Sequence, residues 1–142
     1  MSHKTVARRW FEEVWNRRDE TAVARLFAVD GVAHGLSPDG HDLVGPTAFI
    51  DFHRAYVGAF NDLRIELDDL IEEDDKVAIR WHATGPHTGH GLGLEPHGKA
   101  MNVVGMSILR IHEGLIVEAW NTFDVLGMHQ QLGTLGQLVA AR

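Results

Sequence analysis

Two stretches near the C-terminus, residues 101–112 and 115–124, alternate apolar and polar side chains around Glu113-Gly114. A two-residue turn with Gly supplying the positive φ makes this a β-hairpin, and a hairpin of this length needs a broad sheet around it. With the turn closed there, His112 faces Leu115, Ser107 faces Trp120, Gly105 faces Thr122 and Val103 faces Asp124. Ile116, Glu118, Trp120, Thr122 and Asp124 then share one face, and Leu115, Val117, Ala119, Asn121 and Phe123 the other. This register sets Asp124 beside Trp120 in a largely apolar neighbourhood. An unperturbed Asp titrates near ~3.9, and burial beside an aromatic wall raises that toward values useful for proton transfer.

The rest of the chain supplies helices first and strands afterwards. Residues 3–17 carry an apolar stripe of Val6, Trp10, Phe11, Val14 and Trp15, with Trp10 or Trp15 able to line a cavity. Asp19 reads as the N-cap of a second helix that buries Ala22, Val23, Leu26 and Phe27. Val32 to His34 is a short strand and Gly35 to Gly45 a loop. Pro46 opens a third helix whose Phe49, Phe52, His53, Tyr56 and Phe60 share a face. His53 and Tyr56 both need hydrogen-bond partners if buried, which makes them cavity candidates.

Leu63, Ile65 and Leu67 alternate with charged residues in a first long strand. Glu72 to Asp75 is an acidic turn, and Lys76 to Thr84 a further strand. That strand has Val77, Ile79, Trp81 and Ala83 on one face and Ala78, Arg80, His82 and Thr84 on the other, and pattern alone does not choose the inner one. Gly85 to Gly98 holds five glycines and three histidines and reads as a loop covering or rimming a pocket. Its His87, His90 and His97, even with His82, lack the fixed scaffold of a metal site, so no metal is expected. Leu132, Leu135, Leu138 and Val139 suggest a short terminal helix.

The 142 residues suffice for one domain over 1–142. The net charge of −7 leaves no basic patch for phosphates, so nucleic acid is excluded as a partner. There is no cysteine, no signal-peptide pattern and no apolar run of membrane-spanning length, which predicts a cytoplasmic protein with no membrane partner. Val104, Met106, Ile108 and Val117 form an apolar strip opposite Asp124, which predicts a homodimer.

Ala59-Phe60-Asn61-Asp62-Leu63, Asp75 to Trp81, Gly85-Pro-His87-Thr-Gly89, Gly98-Lys99, Glu113 to Trp120, Asp124 and Gln130-Gln131-Leu132-Gly133 together resemble the SnoaL-like polyketide cyclases. These are also called SnoaL-like ester cyclases, within the nuclear transport factor 2-like superfamily. The resemblance implies an α+β, cystatin-like fold: a cone-shaped barrel of curved, mostly antiparallel sheet wrapped around N-terminal helices, with a deep pocket. It also implies that Asp124 is a general acid/base for intramolecular aldol ring closure, or related isomerase, lyase or hydrolase chemistry, on an apolar carbonyl substrate without a cofactor. His53 and His82 are the further catalytic candidates. Tyr56, Phe60, Arg80, Trp120, Ser107 and Trp15 are the candidate ligand contacts. The alternative is a non-catalytic binding protein for a hydrophobic small molecule.

Overall fold

The computed structural model describes residues 2–140. The order of elements is α1 (His3–Arg9), a π-helical run (Trp10–Asn16), α2 (Thr21–Leu26), β1 (Phe27–His34), β2 (Leu43–Val44) and α3 (Gly45–Ala59). Then come β3 (Arg64–Glu73), β4 (Lys76–Pro86), β5 (Ala100–His112), β6 (Leu115–Phe123), α4 (Val125–Leu132) and α5 (Leu135–Ala140). The side chains of Leu138 and Val139 lie outside the described residues.

The predicted first helix changes character halfway. Ser2 caps α1 by accepting the Thr5 N–H at 3.1 Å. Beyond Arg9 the backbone widens to i→i−5 bonding, as in Arg17 N–H to Glu12 O at 2.8 Å. Residues five apart then share a face, which brings Trp10 and Trp15 into register. Asn16 fixes the end of this run to β3, its amide donating to Ile65 O (2.9 Å) and accepting from Ile65 N–H (2.7 Å). Asp19 accepts from Thr21 N–H at 3.0 Å just before α2, but the N-cap position itself falls on Glu20, whose side chain makes no capping bond, one residue later than expected. Phe27, read as helical, opens β1 instead.

The sheet runs β2-β1-β6-β5-β4-β3, antiparallel except for the parallel β1–β6 pair, and it is curved but not closed. The α+β class with helices packed inside a curved sheet is as predicted; closure into a barrel is not reached. In β4 the apolar set, Val77, Ile79, Trp81 and Ala83, faces inward. In β5 the inward positions are Met101, Val103, Gly105, Ser107, Leu109 and Ile111.

The predicted hairpin register holds only at its turn end. His112 pairs with Leu115 and Ile111 with Ile116, but Arg110 pairs with Glu118, so Val117 is an extra residue in a β-bulge. Past the bulge Ser107 pairs with Asn121 and Gly105 with Phe123. A one-residue slip exchanges the faces of a strand. Ala119, Asn121 and Phe123 therefore point inward, and Trp120 and Thr122 outward.

Candidate functional site

Between the π-helical run, α3 and the inner sheet face lies a cavity with about 70 Å³ open to the centre of a water molecule. It sits within about 610 Å³ of empty space that includes its mouth. Its wall is mainly a belt of aromatic rings: Trp10 lies edge-on to Phe49 (4.8 Å), Phe52 packs on Tyr56 (4.8 Å), and Tyr56 meets Phe123 edge-on (5.9 Å). Trp81 and Phe11 continue the belt on the far side, and Leu36, from the loop after β1, adds to the lining.

Among the described residues, no Asp, Glu, Lys, Arg or His lines the cavity. One polar relay crosses the wall. The Trp81 indole N–H donates to Ser107 Oγ (3.1 Å), Ser107 donates to Asn121 Oδ1 (2.8 Å), and Asn121 Nδ2 donates to the carbonyl of His34 (3.1 Å). It ties β4, β5, β6 and β1 together and leaves none of its buried atoms unpartnered. Tyr56 is different: its O–H makes no hydrogen bond among the described residues, and burial pushes its pKa up to about 12. The phenol thus stays protonated at neutral pH and is a donor waiting for an acceptor.

Of the residues singled out from sequence, Trp10, Trp15, Tyr56 and Ser107 line this cavity. Asp124, Trp120, Arg80, His82, His53 and Phe60 do not. Asp124 is exposed and forms the N-cap of α4, accepting the Gly127 N–H at 2.8 Å, which corrects its expected burial beside Trp120. Trp120 lies on the outer face, stacked on His34 at 5.7 Å with Arg110 over its ring at 5.5 Å, because the bulge turned it outward. Arg80 and His82 are also outward, Arg80 paired with Asp69 at 2.8 Å and His82 with Asp68 at 2.9 Å.

His53 is buried but behind the wall. Its Nε2 donates to Val14 O (2.6 Å), its ring meets Trp15 edge-on (4.9 Å), and burial lowers its pKa. Phe60 is fully buried against His87, away from the cavity. The loop expected to rim the pocket packs on α3 instead. Thr88 and Gly89 donate to Ala59 O (both 3.0 Å), and a Cβ on Gly91 would stand 2.1 Å from Ala55 O. None of its residues lines the cavity. Among the described residues, no group of three or more His, Asp or Glu is placed to hold a metal ion.

Sequence reasoning missed Asn121, Phe123 and Leu36. The first two carried a usable signal: Glu118 sits on the parity of buried Ile116, and a charge on a core parity marks a bulge. Leu36 has no such signal, because its position depends on the path of a loop.

A second, wider groove between the helical N-terminus and β3 is lined by Arg8, Glu12, Arg64, Glu66 and other charged residues. Phe11, Ile65, Leu67 and Leu70 also line it, so it is a groove of mixed character, open to solvent.

A curved sheet enclosing helices, with an aromatic cavity between them, defines a small-molecule fold of the α+β class. The chain belongs to the SnoaL-like polyketide cyclase family, whose model matches residues 5–132. Among solved structures it is similar to a candidate SnoaL-like polyketide cyclase from a Jannaschia species, at 20% identity and TM-score 0.82 over 92% of this chain and 90% of that one. It is similar to IdmH, a candidate polyketide cyclase of Streptomyces antibioticus, at 24% identity and TM-score 0.81 over 94% and 99%. AclR, a candidate hydroxylase of Streptomyces galilaeus, gives 26% identity and TM-score 0.80 over 94% and 96%. No curated protein sequence matches. Among the described residues, no helix is long and apolar enough to cross a membrane.

Proposed function

We propose that this chain takes an apolar small molecule into the aromatic cavity and holds a carbonyl of that molecule against Tyr56. The carrying observation is the unpaired Tyr56 O–H in a wall whose described residues carry no charge and whose Trp81–Ser107–Asn121 relay is internally satisfied. Membership of a polyketide cyclase family, and the similarity to AclR, support small-molecule chemistry at such a site. A phenol donating to a carbonyl oxygen favours the enolate form of the ligand, the species that aldol closure and isomerisation share. Ser107 and Asn121 keep the wall in shape, and Trp15 forms part of its floor.

A second reading makes Asp124 the base for that enolisation. It is favoured by one observation: Phe123 lines the cavity and Asp124 is the next residue. The carboxylate would have to leave Gly127 to reach the ligand. Asp124→Asn separates the two, since Asn can still cap the helix but cannot take a proton. Under the binding reading the variant retains ligand affinity and whatever turnover the parent has. Loss of turnover with affinity intact assigns the base to Asp124.

We also propose a homodimer through the outer sheet face, where Val104, Met106 and Ile108 are 62%, 58% and 42% exposed along the length of β5. A second copy would remove this strip from water. Sedimentation at micromolar concentration is expected to give twice the chain mass; a single-chain mass would refute the dimer. We assign the protein to the cytoplasm on its cysteine-free composition.

A further inference from the structure

The polar groups of the cavity wall fall into two sets by their partners. The Trp81 indole, Ser107 and Asn121 are bonded to one another and to the backbone. The indoles of Trp10 and Trp15 and the phenol of Tyr56 make no hydrogen bond among the described residues, although all three line the cavity and the two indoles are nearly buried. Every group of this open set is a donor in its neutral form; an indole N–H cannot accept at all. Their placement comes from two elements. The π-helical run aligns Trp10 with Trp15, and α3 brings Tyr56 to the same space.

We infer that the cavity selects its ligand by hydrogen-bond acceptors: Trp10, Trp15 and Tyr56 form an acceptor-reading surface for a neutral ring compound that carries carbonyl or ether oxygens. This rests on the reading that the cavity binds a small molecule and adds the rule by which it chooses. Apolar contact with the aromatic belt is open to any flat hydrocarbon. A ligand that covers these donors without pairing them forfeits their hydrogen bonds with water, so the hydrocarbon is disfavoured against its oxygen-bearing isostere. Charged ligands are disfavoured for a separate reason, because none of the described lining residues carries an opposite charge to compensate their burial.

The test is calorimetric titration of the full chain with three bicyclic probes of matched shape: tetralin, with no polar atom; tetralone, with one acceptor; and aminotetralin, a cation. Tetralone is expected to bind about tenfold or more tighter than tetralin, and aminotetralin weakest of the three. Tyr56→Phe, which keeps the ring, and Trp15→Phe, which keeps an aromatic wall of smaller size, are expected to narrow the gap between tetralone and tetralin. Trp120→Phe, on the outer face, is expected to leave that gap as it is. Equal binding of tetralone and tetralin by the parent chain overturns the acceptor rule while the cavity remains a binding site. Absence of binding by all three overturns the cavity reading, and the rule with it.

Discussion

The indole of Trp81 lies directly over Gly105, so closely that a Cβ built on the glycine would stand 2.3 Å from Cζ2 of the ring. Gly105 is what lets Trp81 lie flat on β5 and reach Ser107. Gly105→Ala is therefore expected to push Trp81 into the cavity. The cost should be about 1–3 kcal/mol, typical of overpacking, and ligand binding should fall with it. Chemical denaturation and a tetralone titration check the two effects; a variant with parental stability and affinity would show that the ring can move aside freely.

Ser107→Ala strips the relay of its centre, leaving the Trp81 N–H and the Asn121 carbonyl without partners. Loss of about 1–3 kcal/mol is expected from the unsatisfied groups. Urea unfolding measures it directly.

Asp124→Ala removes the cap of α4 and is expected to cost ~1 kcal/mol, while Asp124→Asn costs only a small part of that. Neither should alter tetralone affinity, since the carboxylate is exposed and outside the cavity wall. A large loss of affinity in Asp124→Asn would return this residue to the centre of the site.

His34 donates to two carboxylates, from Nε2 to Glu118 at 2.7 Å and from Nδ1 to Asp42 at 2.8 Å. Only imidazolium can donate from both nitrogens, and these bonds, Glu118 first, raise its pKa above the ordinary value. Its contribution to stability is thus fully present below ~6.5 and is lost as pH rises through the raised value. His53 has the opposite sign. Burial lowers its pKa, so its share of stability is lost as pH falls below ~6.5. Thermal unfolding across this range should show His34→Gln flattening the alkaline decline alone; an unchanged alkaline limb would contradict the assignment.

Much of the fold could be read from residue pattern because the pattern is strong where packing decides. The alternation of Val77 to Ala83 and of Met101 to Ile111 required a half-buried sheet, and the Phe49–Tyr56 stripe required a helix against it. The site was less legible for one local reason. Val117 adds a residue to β6, and from there every inward position becomes outward, so strict alternation puts Trp120 and Asp124 into the cavity in place of Asn121 and Phe123. Trp15 and Tyr56 escaped this error because a helical period does not depend on strand register. The inner face of β4, open in the sequence pattern, is set by partners: Arg80 and His82 pair with carboxylates of β3 on the outer side, and Trp81 pairs with Ser107 on the inner side.

The four tryptophans provide the most direct test of where ligand binds, because each has one indole N–H resonance and they lie in different places. Trp10 and Trp15 line the cavity with free donors, Trp81 lines it with its N–H engaged, and Trp120 is on the outer face. Addition of tetralone to the isotopically labelled chain is expected to move the Trp10 and Trp15 resonances most and to leave Trp120 in place. Movement of Trp120 alone, or of none of the four at saturating probe, would contradict the cavity as the functional site.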